Sequence, residues 1–260
     1  MIPELEKEFS TTCRLLLGSE LLGTLDDYGK WLGRHVPLPH LSKSALSGKD
    51  VWLPPPLSFR RTYFTTKRVI SMEEMDLVNS SPFSAGEIAN SSPADIKNKF
   101  IKPLVYVCGN FRYQEHQNVE KCSGAGGGVN LYYGEDVYLG VKNIGYSNYT
   151  LYCENMFGCH GCLHSKFSIH AYNSTNVTRC FEVEGCENSS DLLFCHNCEG
   201  TSNAILCFNA KNLRYAVGNV EVGPDEFARV KKILLDYAIS ELREKKMLNA
   251  DIYDVGGLGR

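Results

Sequence analysis

The chain has 260 residues, of which 43% are hydrophobic and 22% charged, and its formal net charge is −3. This length permits one large or two small domains with a sizeable core, and the near-neutral charge makes nucleic acid an unlikely partner. The N-terminus lacks the basic and apolar stretches of a secretory signal, and no apolar run is long enough to span a membrane. We therefore expect a protein of the cytoplasm, of a virion or of an intracellular assembly, without membrane contact.

Residues 1–35 are predicted to form a helical hairpin. Apolar side chains recur at helical spacing over residues 2–17, and they do so again over residues 19–33. Gly18 separates the two stretches, and Ser19 is a suitable N-cap for the second helix. Both apolar stripes are more typical of a core than of a ligand groove.

Residues 36–127 are predicted to form an extended, proline-rich arm followed by a mixed α/β region. The periodicity of the first 35 residues is lost at Val36, and prolines interrupt the chain from there onwards. A stretch of this length is unusual inside a compact domain, so residues 36–60 are expected to reach a protein partner or a second copy. Trp52 fits an interface anchor and packing on its own chain equally well.

Shorter signals follow within the same region. Residues 62–70 and 104–108 resemble strands, and residues 91–100 could form a short capped helix. The basic residues between positions 60 and 68 alternate with aromatics, a pattern compatible with single-stranded nucleic acid but more typical of a solvated β-hairpin. The glycine-rich stretch Cys122–Gly128 lacks the Lys-Ser/Thr of a P-loop, so we interpret it as a flexible joint.

Residues 128–222 are predicted to form a parallel β-helix, or β-solenoid. The chain has eleven cysteines, and eight of them fall on a three-residue spacing: Cys153, Cys159, Cys162, Cys180, Cys186, Cys195, Cys198 and Cys207. The other residues of this series are uncharged and mostly small, which suits an inward position. From Leu151 the pattern repeats every six residues as bulky, any, small or Cys, any, Asn or Gly, small or Cys.

A six-residue period matches neither a helix nor a simple strand, but it matches one side of a β-solenoid. Three sides would give a triangular turn of 18 residues. Asn, Asp and Gly tolerate the positive φ of a corner, so the fifth position of each hexad is predicted to be that corner. Cysteine, which is small and apolar, suits the narrow interior.

Two Cys-x-x-Cys pairs raise the question of a zinc site: Cys159 with Cys162, and Cys195 with Cys198. With 18-residue turns the pairs lie two turns, or about 9.6 Å, apart, whereas the ligands of one zinc lie within roughly 4 Å of each other. We therefore predict structural thiols, with no metal and no cofactor. Two half-sites, or a site completed by a second chain, stay open.

The same geometry makes two further predictions. The pairs Cys162/Cys180 and Cys180/Cys198 would stack in adjacent turns at a Cα spacing compatible with a disulfide. His160 and His196 directly follow an inward position, and they are therefore expected to face outward.

Residues 223–260 are predicted to form a capping helix and a tail. Gly223 and Pro224 followed by two acidic residues form a good helix start, and Lys245 suits its far end. We expect this helix to cover the open end of the solenoid, whose last turn would otherwise expose strand edges.

Two motifs in the repeat region are F-C-H-N-C at residues 194–198 and C-F-N-A-K-N-L-R-Y-A-V-G-N at residues 207–219. Through these motifs, part of the chain resembles uncharacterised cysteine-rich repeat proteins of archaea, uncultured bacteria and their viruses, which contain repeated C-x-N-C units. The resemblance covers residues 151–221. It implies a solenoid and no particular activity.

The sequence therefore favours a non-enzymatic scaffold or assembly component over an enzyme, and it predicts a protein partner or self-association through residues 36–60 and the faces of the solenoid. One alternative is a hexapeptide-type trimeric enzyme, such as an acyltransferase or a γ-type carbonic anhydrase, for which His160, His164, His170 and His196 are the candidate residues. Against it, no histidine has an evident carboxylate partner. Another alternative is a zinc or iron–sulfur protein with cysteine ligands. No catalytic residue is assigned.

Overall fold

The molecule is a parallel β-solenoid with helices packed along one side and small sheets at its N-terminal end. The computed structural model describes residues 2–55, 68–78, 83–138, 142–145, 149–150, 154–158, 161–162, 166, 168–169 and 178–255. Among these residues, no helix combines the length and the apolar character needed to cross a membrane.

The first predicted helix is confirmed as α1, Pro3–Leu17, which ends at Gly18 in the left-handed conformation. The second is wrong in its extent: residues 25–28 form a 3₁₀ turn, and α2 is a single turn at Gly29–Leu32. Gly23 has a φ of 112°, a value that interrupts a helix. Thr24 then begins a new one, since its amide donates to the Asp27 carboxylate.

The described residues between positions 36 and 109 form small sheets and short helices. Strands β1 (His40–Lys43) and β2 (Asp50–Leu53) form an antiparallel hairpin, while β3 (Val69–Ser71) pairs in parallel with β4 (Tyr106–Gly109). Between β3 and β4 lie a 3₁₀ helix, the short helices α3 and α4, and a π-helical turn: Met72–Val78, Ala85–Ala89, Pro93–Asp95 and Ile96–Ile101.

Residues 36–55 of the expected arm pack on their own chain, and contact of residues 36–60 with a partner stays a prediction. Val51 and Leu53 are buried against Val69 and Cys108, and the Trp52 ring lies 5.5 Å from that of Tyr133. Apolar burial on its own chain therefore holds this segment in place. Residues 56–60, and most of the strand expected over residues 62–70, lie outside the described part.

The predicted parallel β-solenoid is confirmed, and it begins at Phe111 rather than at residue 128. Its strands form three ladders, ordered β12-β10-β8-β6, β13-β11-β9-β7-β5 and β14-β15-β16-β17-β18. The glycine-rich stretch expected as a joint contributes a buried strand. The strands are β5 Phe111–Arg112, β6 His116–Glu120, β7 Gly124–Gly126, β8 Gly128–Tyr132, β9 Asp136–Tyr138, β10 Lys142–Gly145, β11 Tyr149–Thr150, β12 Glu154–Met156, β13 Gly161–Cys162, β14 Thr178–Glu184, β15 Ser190–His196, β16 Ser202–Ile205, β17 Arg214–Val217 and β18 Val220–Glu221.

The predicted 18-residue triangular turn is wrong. Thr178 pairs with Ser190, Ser190 with Ser202, and Ser202 with Arg214, and residues that contact each other across turns are 12 apart in sequence. Each turn therefore contains two hexads rather than three. The three-residue spacing of the inward side chains fits both lengths, so it could not distinguish them.

The positive φ predicted for the hexad corners is confirmed at Asn155 and at every corner from Arg179 to Tyr215, and a second set of corners lies halfway between them, from Glu182 to Gly218. Every third residue from Arg179 to Gly218 has a positive φ, which gives four such residues per turn. Asn and Gly hold many of these positions, because they adopt this conformation at little cost. The side-chain amides of the asparagines also bond to one another from turn to turn. One such ladder of hydrogen bonds runs through Asn118, Asn130, Asn143 and Asn155.

One side of the solenoid carries a column of large apolar residues. Its buried members include Tyr132, Phe157, Ile169, Phe181, Leu193 and Ile205. Helix α1 covers this column near Phe157, whose ring lies 5.2 Å from that of Phe9. Trp31 of α2 lies 6.0 Å from Phe181.

The predicted C-terminal helix is confirmed as α5, Pro224–Lys245, but it does not cover the end of the coil. It packs on the side of the solenoid through Phe227, Ala238 and Leu242, and it is followed by α6, Ile252–Val255. The last turn is instead closed by β18, which pairs antiparallel with β17. Their loop, Gly218-Asn219, has positive φ at both residues, as in a type I′ turn.

Candidate functional site

The interior of the coil collects the side chains predicted to point inward. From Cys180 to Ala216, every third residue other than Leu213 is at most 5% exposed, and Leu213 packs partly buried against the same cluster. The series reads Cys180, Val183, Cys186, Ser189, Leu192, Cys195, Cys198, Thr201, Ala204, Cys207, Ala210, Leu213 and Ala216. The three-residue inward rule is therefore confirmed over this stretch.

The inward sulfur and hydroxyl atoms accept backbone hydrogen bonds from the next turn. The Cys198 amide donates to Cys186 Sγ over 3.3 Å, and the Thr201 amide donates to Ser189 Oγ over 3.1 Å. Asn219 and Gly134 donate in the same way to Cys207 Sγ and Cys122 Sγ. In each case donor and acceptor are 12 residues apart, so the side chain provides an acceptor for an amide that would otherwise be buried without one.

The same side chains also donate to carbonyl oxygens. Cys198 Sγ lies 3.3 Å from the Cys207 carbonyl oxygen, and the Ser189 hydroxyl donates to the Glu187 carbonyl over 2.7 Å. Inward cysteine, serine and threonine side chains therefore have the same hydrogen-bonding role. Our sequence interpretation explained the cysteines by size and apolarity, and it missed this hydrogen-bonding role.

Burial makes most of these thiols weak acids. Desolvation raises the pKa of Cys13, Cys122 and Cys180 to about 12. Four further thiols perturb one another's ionisation. Interaction with Cys186 and Cys195 lowers the pKa of Cys198, and interaction with Cys195 lowers that of Cys207, while interaction with Cys198 and desolvation raise the pKa of Cys186 and Cys195. We call these four residues the thiol cluster.

The prediction that the two Cys-x-x-Cys pairs do not share one metal stays a prediction, because only one pair is fully described. Cys195 and Cys198 are inward and buried, whereas Cys159 and the side chain of Cys162 lie outside the described residues. Within the described residues, no three His, Cys, Asp or Glu side chains are placed to hold a metal ion.

The disulfide pairs expected from 18-residue turns are wrong. Cys180 stacks on Ser168 and Leu192, so neither Cys162 nor Cys198 lies in its column. All eight cysteines for which the structure gives a state are free thiols: Cys13, Cys108, Cys122, Cys180, Cys186, Cys195, Cys198 and Cys207.

Of the four candidate histidines, only His196 lies within the described residues. It faces outward as predicted, and 40% of its side chain is exposed. Its Nδ1 atom pairs with the carboxylate of Glu184, which lies one turn away in the ladder. The sequence interpretation missed this carboxylate because an 18-residue turn places residue 178 beside His196. The other three histidines, His160, His164 and His170, cannot be placed.

A lateral cleft of about 710 Å³ lies between the solenoid, helix α5 and the C-terminal segment. Its walls are largely apolar: Phe194, Leu206, Leu234, Tyr237, Leu248 and Val255. Asp251 holds the segment in place, because its Oδ2 atom lies 2.6 Å from His35 Nε2 and 3.0 Å from Arg34 NH1. Burial opposes ionisation of Asp251, but hydrogen bonds from His35 and two backbone amides outweigh it and lower the pKa.

The most exposed apolar surface lies elsewhere, on residues 72–104. Of the 17 exposed large apolar residues in the described chain, seven fall here. They are Met75, Leu77, Val78, Ile88, Ile96, Ile101 and Leu104, with exposed fractions of 39–71%. Helices α3 and α4 and the π-helical turn bury none of their own residues. We call residues 72–104 the apolar segment.

Comparisons with known proteins do not assign this architecture. No family model, no curated protein and no solved structure matches the chain. The resemblance to cysteine-rich repeat proteins rests on the sequence motifs alone, and a function has to be inferred from the surfaces described above.

Proposed function

We propose that this protein is a non-enzymatic assembly component, in which the solenoid is a stiff scaffold and the apolar segment binds a second copy of the chain. The observation that carries the proposal is the exposure of seven large apolar side chains between residues 72 and 104. Three of them, Ile88, Ile96 and Ile101, lie on short helices that bury none of their own residues. Large exposed apolar side chains concentrated in one segment are typical of interaction sites.

The solenoid suits the role of a scaffold because many of its polar groups bond to neighbouring turns of the same molecule. Its strands are hydrogen-bonded in parallel from turn to turn, and the interior thiols bond the backbone of adjacent turns. His196 is paired with a carboxylate of the neighbouring turn on the outer face. Each of these groups supports the coil itself.

A groove between α1 and α5 provides a complementary surface for the apolar segment. It has a volume of about 970 Å³, and its lining includes Leu17, Leu235 and Ile239 together with the cations Lys231, Lys232 and Arg243. The apolar segment carries five acidic and three basic residues, whereas the groove carries these three cations and two acidic residues. A contact between two different surfaces builds a ring or a filament.

The hexapeptide-type enzyme is not favoured by this geometry. That alternative assumed three-sided turns of 18 residues, whereas the ladder pairs residues 12 apart. The zinc or iron–sulfur alternative assumed cysteines that are available as ligands, whereas the described interior thiols bond the backbone.

Sedimentation velocity of the full chain under reducing conditions tests the proposal. We expect the wild type to associate as its concentration rises, and the double variant Leu77→Asp/Ile101→Asp to stay at the monomer mass of 29.1 kDa. Leu41→Asp is the matched control, since Leu41 is also exposed, at 49%, but lies on β1. A wild type that is monomeric at every concentration, or a double variant that associates as well as Leu41→Asp, would overturn the proposal.

A further inference from the structure

The thiol cluster contains two pairs of cysteines that occupy the same column in adjacent turns. Cys186 and Cys198 form one pair, and Cys195 and Cys207 form the other. We propose that each pair is a site of intramolecular disulfide formation, which links one turn of the solenoid covalently to the next. The reaction partner is a small disulfide of the oxidised glutathione class.

The geometry of the column supports this pairing. Leu193 pairs with Ile205 and His196 bridges to Phe208, on either side of Cys195 and Cys207. Glu187 bridges to Glu199, directly after Cys186 and Cys198. Neighbouring strands are about 4.8 Å apart, which lies within the Cα separation of natural disulfides, about 4.4–6.8 Å. The Cys186 sulfur lies 3.3 Å from the amide nitrogen of its partner Cys198, so little movement is needed to join the two side chains.

The reaction balances as two successive exchanges. A cysteine thiolate attacks the small disulfide, which gives a mixed disulfide and releases one small thiol. The second cysteine of the pair then attacks the protein sulfur of the mixed disulfide and releases the other small thiol. Each pair loses two hydrogens, and the small disulfide gains the two electrons.

Entry is expected from the C-terminal end of the coil. The amide of Asn219, in the loop between β17 and β18, donates to Cys207 Sγ over 3.4 Å. Opening of this terminal hairpin therefore uncovers Cys207 before any other member of the thiol cluster, and chain ends open at a lower free energy than the middle of a stack. The linkage of Cys195 to Cys207 should form first.

Cys180 provides an internal control for the selectivity. It is as deeply buried as the cluster, but its neighbours in the adjacent turns are Ser168 and Leu192. It therefore has no partner cysteine in its column and should stay reduced.

The test is incubation of the full-length protein with oxidised glutathione, followed by alkylation of free thiols, chymotryptic digestion and mass spectrometry. For the wild type we expect one linked species that contains the peptides of Cys186, of Cys195 with Cys198, and of Cys207, with Cys180 alkylated. Because Cys195 and Cys198 share a peptide, single variants assign the bonds.

In Cys198→Ser, Cys207 should stay linked and Cys186 should become alkylated. In Cys195→Ser, Cys186 should stay linked and Cys207 should become alkylated, whereas Cys180→Ser should change neither bond. Reversed outcomes in the two variants, a bond that includes Cys180, or complete alkylation of the wild type would each overturn the proposal. The pattern of linked and alkylated peptides in the wild-type protein tests the proposal even where a variant fails to fold.

Discussion

A comparison of two substitutions at Cys186, to alanine and to serine, separates the two roles of an interior thiol. One role is to accept a backbone hydrogen bond, and the other is to pack as a small apolar side chain. Cys186 Sγ accepts the amide of Cys198 over 3.3 Å. Alanine fills part of the same space but cannot accept this bond, whereas the serine hydroxyl can accept it, as Ser189 does from Thr201. If hydrogen bonding matters, Cys186→Ala should be more harmful than Cys186→Ser.

The expected magnitudes follow from two effects. An orphaned buried amide costs about 1–3 kcal/mol, and loss of the buried sulfur adds about 1 kcal/mol. We therefore expect Cys186→Ala to lower the free energy of unfolding by about 2–4 kcal/mol. Cys186→Ser should cost about 1 kcal/mol, because only the apolar contribution is lost.

Urea unfolding under reducing conditions measures these differences, and amide hydrogen exchange locates them. The Cys198 amide should exchange faster in Cys186→Ala than in Cys186→Ser. Cys13→Ala is the control for the loss of a buried sulfur, because Cys13 is buried in α1 outside the coil. Equal unfolding free energies and equal exchange of Cys198 in the two Cys186 variants would refute the hydrogen-bonding role.

Three further predictions address the turn length, the corners and the pH dependence. Excision of residues 190–201, one full turn, should leave a folded chain by circular dichroism, whereas excision of residues 190–195 should not, because half a turn moves the apolar column to the opposite side. Asn203→Ala should cost about 1 kcal/mol in urea unfolding because φ is positive there, and Asn203→Gly should cost less; equal costs would contradict the role of the corner. Burial raises the pKa of Glu74, but hydrogen bonds from Ser47, Ser71 and Ser44 outweigh it and lower the pKa to about 2. Ionised Glu74 therefore stabilises the fold fully above its ordinary pKa of 4.5, and this contribution should be lost as the pH falls from 4.5 towards 2. Hydrogen exchange at Ser71 over this pH range should show the loss in the wild type and not in Glu74→Gln.

The fold class could be predicted because each inward position needs a small, uncharged residue. This requirement is visible in the sequence as cysteines spaced by multiples of three residues, from residue 153 to residue 207. The turn length could not be predicted from that series, because a multiple of three residues fits turns of 12 and of 18 equally well. The asparagine column held the missing information, since Asn197 bonds to Asn209 across one turn.

The start of the coil was missed for a different reason. Asn130 and Asn143 are 13 residues apart, while Asn118 and Asn130 are 12 apart. Single inserted residues shift the phase of the pattern in the early turns, so a strict period fails there. The corners at Phe194 and Leu206 were also unpredictable, because bulky residues have no preference for positive φ. Their side chains lie against the helical side of the molecule, and this packing compensates for the strain.

The candidate site was only partly accessible from the sequence. The outward position of His196 followed from the inward rule, but its carboxylate partner depended on the turn length. Asp251 was missed, although it accepts the amides of Tyr253 and Asp254 as a helix N-cap would. Its distant partners, His35 and Arg34, are brought to it only by the packing of helices on the solenoid.

The reversal of the chain at Gly218-Asn219 has a consequence for the size of any assembly. An unblocked parallel stack would present a strand edge to which a further copy could add its first turn, and its length would then depend on protein concentration. Here β18 occupies the edge of β17 in the opposite direction, so the coil cannot be continued in parallel from that end. The number of turns is therefore a fixed property of the polypeptide, and a rod built from this protein would grow in units of one whole molecule.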